Sequence, residues 1–107
     1  MIELNWDRSF ALEQSADEEE VLAELLDLLR ETATNDLAKI KLGVEKGDAK
    51  GVEYAAHSLK GAAASLGVEG LRRVSLAIEN GGRAGDLNLA EQVAELAELV
   101  NQLSSLK

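Results

Sequence analysis

A chain of 107 residues with no cysteine and a formal net charge of −9 leaves few functional classes open. The lack of cysteine excludes disulfides and thiolate zinc sites. The acidic balance argues against nucleic acid as a partner, because a phosphate backbone is bound by clustered Lys and Arg. The length predicts one domain spanning 1–107. No apolar run approaches the roughly 18 residues of a spanning helix, so we expect a cytoplasmic protein without direct membrane contact.

The composition favours helices along the whole chain. Proline is absent and there is one Trp, one Tyr and one Phe, whereas the good helix formers Ala, Leu, Glu and Lys are abundant. A short first helix is predicted over about 5–13, with Trp6 and Phe10 one turn apart to close one end of the fold. Ser15 followed by Glu18 has the spacing of a capping box, which predicts the start of a second helix.

The longest predicted helix follows this box. Apolar side chains recur there at steps of three and four residues, the spacing of one buried helix face. They are Leu22, Leu25, Leu26, Leu29, Ala33, Leu37, Ile40 and Val44. We expect the helix to end near Gly47 as its C′ residue. Thr32, Thr34 and Asn35 weaken its middle, so the pattern also allows a kink or break there.

Two further helices are predicted before residue 83. Asp48 caps a helix that runs to about Leu66 and stops at Gly67. The next helix covers about 68–80 and ends in the Gly81–Gly82 pair, which opens the turn-rich stretch GGRAGD.

A last helix completes the predicted fold. Asn88, with Glu91 three residues later, marks its predicted start. Its inward positions are predicted to be Leu89, Val93, Leu96, Leu99 or Val100, and Leu103. Four main helices joined by short loops predict an all-α fold, an antiparallel up-and-down four-helix bundle with a short extra N-terminal helix.

The only histidine of the chain lies on the helix that follows Asp48. At about 100° per residue, His57 falls almost opposite the apolar stripe formed by Val52, Ala55, Leu59, Ala62 and Leu66. A lone histidine is often a core residue or a surface residue without a role, and this placement excludes the core. Lys60 lies one turn further on, within reach of a group attached to the ring.

Gly61 shares the outer face with His57. Glycine inside a helix costs about 1 kcal/mol relative to Ala, and at this position core packing does not explain it. A missing side chain would let a partner approach the imidazole closely, although a tolerated kink is the plainer explanation. Tyr54 and Ala64 lie on the same face.

These residues resemble the signature of histidine phosphotransfer (Hpt) domains. The motif runs Ala56-His57-Ser58-Leu59-Lys60-Gly61, then small residues, then Leu66-Gly67. The resemblance covers about 15–83 and includes the Gly47–Asp48 junction, Leu71 and the segment Ala77-Ile78-Glu79. The last helix fits by its length.

The resemblance implies a role for each residue of the motif. His57 would accept a phosphoryl group on Nε2, Lys60 would support that group, and Gly61 would give a receiver domain access. Tyr54, Ala64 and the outward side of the long helix would form much of the docking surface.

It also implies the partners and the chemistry. The partners would be receiver domains of a hybrid sensor kinase and of a response regulator, and the Mg²⁺ would belong to the receiver. The chain itself would be a monomeric phosphocarrier with no cofactor, no metal site and no enzymatic turnover.

Other functions remain open at this point. A serine–histidine hydrolase is disfavoured because Ser58 and His57 are consecutive helical residues and do not face each other. A metal site would have Glu53 alone as a same-face partner. The remaining alternatives are the phosphotransfer domain of a chemotaxis-type histidine kinase and a helical interaction module that is never phosphorylated.

Overall fold

The computed structural model describes residues 2–107, and within this part of the chain all regular elements are helices. They are α1 (Arg8–Gln14), α2 (Glu19–Lys46), α3 (Ala49–Ser65), α4 (Glu69–Ala84) and α5 (Ala90–Gln102), followed by a 3₁₀ turn (Leu103–Ser105). Each of α2 to α5 packs against the next, and α5 returns to α2. The predicted four-helix bundle with an extra N-terminal helix is confirmed. No helix within 2–107 combines the length and apolarity that crossing a membrane would require.

The core is built from the apolar faces that the periodicity predicts. Leu22, Leu26, Leu29, Ala33 and Ile40 of α2 are buried. They meet buried side chains of the other helices, which include Leu59, Leu71, Ile78, Leu96 and Leu99. Leu25, Leu37 and Val44, which were also predicted to point inward, are only partly buried against this cluster.

The start of the chain differs from the prediction. Asp7 caps α1 by accepting a hydrogen bond from Phe10 N at 3.0 Å, so the helix begins at Arg8 and not near residue 5. The predicted capping box is wrong: Ser15 is the buried C-cap residue of α1, and its Oγ donates to Ala11 O at 2.8 Å. The chain then passes through left-handed Ala16 and Asp17, which separates Ser15 from the first turn of α2.

Helix α2 is continuous over 28 residues, without the break that its polar middle allowed. Thr34 Oγ1 donates to Arg30 O at 2.9 Å, so this hydroxyl is satisfied within the helix and does not compete with it. The helix ends as predicted at Gly47, whose φ of 71° is the left-handed conformation that glycine adopts at little cost.

Helix α4 is longer than predicted because Gly81 and Gly82 are helical. It continues through Gly81 and Gly82 to Ala84 and ends at Gly85, which has a φ of 73°. Gly82 is buried where α4 crosses α3: a Cβ there would lie 2.7 Å from Glu53 N and 2.9 Å from Ala49 O. The glycine therefore serves a close approach of two helices and not a turn.

The connection to α5 is correspondingly shorter. The N-cap residue of α5 is Leu89, one residue after the predicted cap, and its side chain makes no capping hydrogen bond. Asn88 lies in the loop, where its backbone N–H donates to Asp86 Oδ1 at 3.0 Å.

Candidate functional site

His57 lies on the outer surface of α3, as the sequence predicts. The cap at Asp48, which accepts from Gly51 N at 3.0 Å, starts the helix so that its apolar residues face the core. The buried positions are Val52, Ala55, Ala56, Leu59 and Ala63. Ala62, which was predicted to belong to this stripe, is only partly buried. The imidazole of His57 is 67% exposed.

A buried carboxylate holds one nitrogen of the ring. Glu79 of α4 is 1% exposed, and its Oε2 lies 2.7 Å from His57 Nδ1. A carboxylate can only accept, so a neutral ring paired with it carries its hydrogen on Nδ1 and keeps a free lone pair on Nε2. The contact thus fixes both the tautomer and the orientation of the imidazole.

Lys60 reaches the same carboxylate from α3. Its Nζ lies 2.7 Å from Glu79 Oε1, and its side chain is 26% exposed. Oε1 has no aligned donor, so this contact is an ion pair and not a well-formed hydrogen bond. The structure therefore brings His57 and Lys60 together through a residue to which the sequence analysis assigned no role.

Arg83 completes the cluster one turn further along α4. Its Nη2 lies 3.0 Å from Glu79 Oε2, and its Nε lies 3.0 Å from Glu53 Oε2 of α3. Burial acts to raise the pKa of Glu79, but Lys60 and the His57 N–H outweigh it and hold that pKa below its ordinary value of 4.5. The carboxylate is therefore ionised at neutral pH.

Gly61 is exposed, and nothing in the fold requires a glycine there. A Cβ added to it would meet no atom within 4 Å. The cost of a glycine inside a helix is thus not offset by packing within the chain, and the open space lies one turn from His57 on the outer face.

Tyr54 and Ala64 are exposed on α3 near the histidine. Among residues 2–107, the large hydrophobic side chains that remain exposed are Leu28, Leu42 and Tyr54. A shallow groove between α2 and α3 begins beside Leu28 and is lined by Leu25, Thr32, Ala62 and Ser65. The groove reaches α3 at Ala62 and Ser65, and neither Tyr54 nor Ala64 lines it.

The sequence did not predict the charged cluster around His57 that Glu79, Arg83 and Glu53 form. Glu79 was noted only as part of the segment Ala77-Ile78-Glu79. Its position carried a signal, because it falls on the buried face of α4 with Leu71, Ser75, Ile78 and Gly82. A carboxylate at a buried position must have partners, and here they are His57 and Lys60 of α3 and Arg83 of α4 itself. Residues 2–107 hold no group of three or more His, Asp or Glu side chains that could bind a metal ion.

The chain is similar to known proteins in sequence pattern and in fold. The sequence model of the Hpt domain matches residues 24–106. The fold is similar to the crystal structure of histidine-containing phosphotransfer protein B (HptB) from Pseudomonas aeruginosa PAO1, with a TM-score of 0.76 and 21% identity over 94% of this chain and 85% of that one.

A second solved structure, the HPT domain of the Hpt sensor hybrid histidine kinase from Shewanella, aligns with a TM-score of 0.75 and 19% identity over 94% of this chain and 91% of that one. Curated protein sequences yield no significant match. The family match spans most of the chain, and both structures share its fold. The chain belongs to the Hpt domain family.

Proposed function

We propose that this chain is a phosphorelay carrier in which His57 accepts a phosphoryl group from the aspartate of one receiver domain and passes it to the aspartate of another. The observation that carries the proposal is the exposed imidazole. Its Nδ1 is hydrogen-bonded to buried Glu79, which leaves Nε2 free on the outside of the bundle. A carrier needs this exposure because donor and acceptor must reach the same nitrogen.

The transfer needs few groups from this chain. The Nε2 lone pair forms a bond to phosphorus as the bond from phosphorus to the aspartyl oxygen breaks, and the carboxylate is regenerated on the receiver. A neutral imidazole needs no added base for this step. A loose transition state asks mainly for positioning and charge neutralisation, which Glu79 and Lys60 provide on this side. The receiver would supply the Mg²⁺, and the chain would have no cofactor and no kinase activity of its own.

The surface around His57 suits a docked receiver. Gly61 leaves open space one turn from the ring, and Tyr54 and Ala64 are exposed on the same helix. We propose that the receivers of a hybrid sensor kinase and of a response regulator bind here in turn, to a cytoplasmic monomer formed by 1–107.

The proposal is tested by mixing the chain with phosphorylated receiver domains from the genome that encodes it. We expect an acid-labile, base-stable label to appear on the chain and to pass to a second receiver. The matched control is His57→Gln, which keeps the helix and removes the nucleophile. A His57→Gln protein that relays phosphate as fast as the parent would rule out the carrier function. If no phosphorylated receiver labels the chain, the receiver-donor proposal fails, and direct phosphorylation by a histidine kinase of the chemotaxis type is favoured.

A further inference from the structure

The charges around His57 are already balanced before any phosphoryl group arrives. Lys60 and Arg83 are the cations of the cluster, and Glu53 and Glu79 are the carboxylates that pair with them. A phosphoryl group adds about two negative charges near neutral pH. If the proposed function holds, at least one of the two cations must turn toward that group.

Moving Lys60 from Glu79 to the phosphoryl group would be strongly unfavourable. The Lys60 side chain is only 26% exposed, and its partner Glu79 is 1% exposed. A buried carboxylate that loses its counterion is strongly unfavourable. Lys60 therefore contributes its positive charge from where it lies, without leaving Glu79.

Arg83 is the cation that can move at little cost. Its side chain is 61% exposed, and Glu53 is 22% exposed, so water can replace the guanidinium at Glu53. A guanidinium has five N–H groups, which lets it keep a bond to Glu79 while another N–H points elsewhere. Because Arg83 Nη2 and His57 Nδ1 contact the same Glu79 oxygen, these two nitrogens lie within about 6 Å of each other, a range over which charges interact appreciably. A phosphoryl group on Nε2 lies across the ring from Nδ1, so the guanidinium has to turn away from Glu53 to reach it.

We propose that Arg83 is a phosphoryl-binding residue of this site and that Glu53 restrains it in the unphosphorylated state. On phosphorylation the guanidinium leaves Glu53 and pairs with the phosphoryl oxygens, while Glu79 keeps its contact with the ring. Arg83 thus adds a mobile cation to the fixed one that Lys60 supplies.

The test needs no receiver, so its failure is distinct from failure of the relay. Phosphoramidate phosphorylates imidazole directly, with loss of ammonia, and the phosphoryl pKa of the product is then read from the ³¹P chemical shift over about pH 5.5–8.5, around the pKa near 6 typical of a protein phosphate. Glu53, Lys60, Glu79 and Arg83 are the charged groups of α3 and α4 that face the product. Glu79 stays ionised over this range, since its pKa lies below 4.5.

We expect Arg83→Gln to raise the phosphoryl pKa by roughly 0.5 unit, because an adjacent cation favours the dianion. The matched control is Arg73→Gln, which removes an equally exposed arginine from the same helix. It lies six residues from Glu79, about 9 Å along the axis, which exceeds the screening length of about 8 Å, so its substitution should change the titration far less.

For Glu53→Gln we expect the phosphoryl pKa to change in the opposite direction. This substitution removes a carboxylate and frees Arg83, so the phosphoryl pKa should fall below that of the parent, and it should fall less when Arg83→Gln is also present, because only the lost charge then acts. Glu69→Gln at the other end of α4 should have no effect. Equal titrations for Arg83→Gln and Arg73→Gln would overturn the proposal. So would a rise in the phosphoryl pKa of Glu53→Gln, which would mean that Glu53 supports the site instead of restraining Arg83.

Discussion

Glu79 is the residue on which the geometry of the site depends. Within residues 2–107 it is the side chain that contacts His57, Lys60 and Arg83 together, and because it is buried, those contacts compensate for its charge. Because its pKa is lowered in the folded state, its ionisation stabilises the fold at any pH above the ordinary value and ceases to do so as the pH falls through the lowered one.

Glu79→Gln should therefore remove a pH-dependent part of the stability. At pH 7 we expect the free energy of unfolding to fall by about 1–3 kcal/mol, since Lys60 loses a buried counterion. The difference from the parent should shrink as the pH falls below 4.5, where the parent's Glu79 becomes protonated. Urea denaturation at pH 7 and pH 3 measures both values. A difference that grows at low pH would contradict the assignment.

Gly61 allows stability and function to be separated at one residue. Gly61→Ala should stabilise the fold by about 0.5–1 kcal/mol, because the helix gains a better helix former and the Cβ meets no atom. Transfer from a receiver should nevertheless slow, because the new methyl group occupies the space proposed for the partner.

The small donor phosphoramidate provides the control for Gly61→Ala. It does not need a docked protein, so we expect it to label the variant as fast as the parent. If receiver-dependent transfer is also unchanged, Gly61 has no part in access and is only a tolerated glycine.

At the scale of elements, the distance between α3 and α4 determines whether Glu79 can reach His57. The helices approach closely at Gly82, which lies against the α3 backbone at Glu53 and Ala49. The same crossing brings Arg83 to Glu53. A glycine that the sequence suggests as a turn residue is thus part of what assembles the site.

Gly82→Ala should destabilise the fold by about 1–3 kcal/mol, because its Cβ would overlap backbone atoms that cannot move independently. The matched substitution is Gly61→Ala, the same change in a helix with the opposite expected sign. Thermal unfolding of the two variants side by side measures the difference. A Gly82→Ala protein as stable as the parent would show that α3 and α4 are less tightly packed than described.

For the whole molecule, the four main helices and the exposed position of His57 could be predicted because they follow from periodicity within single helices. The features that were missed depend on backbone conformation in a turn or on contacts between elements. Ser15 and Glu18 have the spacing of a cap, yet left-handed Ala16 and Asp17 separate them. Gly82 acquires its role from its contact with α3, and Glu79 pairs there with His57 and Lys60. No pattern within α4 identifies these contacts.

His57 Nε2 is the atom that we expect to carry the phosphoryl group. The chain has one histidine, so labelling histidine with ¹⁵N gives signals from a single ring, and coupling to ³¹P identifies the phosphorylated nitrogen. After phosphorylation by a receiver domain, we expect the coupling at Nε2 only, with Nδ1 still hydrogen-bonded to Glu79. Coupling at Nδ1, or a phosphorylated chain without any coupling to this ring, would contradict the account.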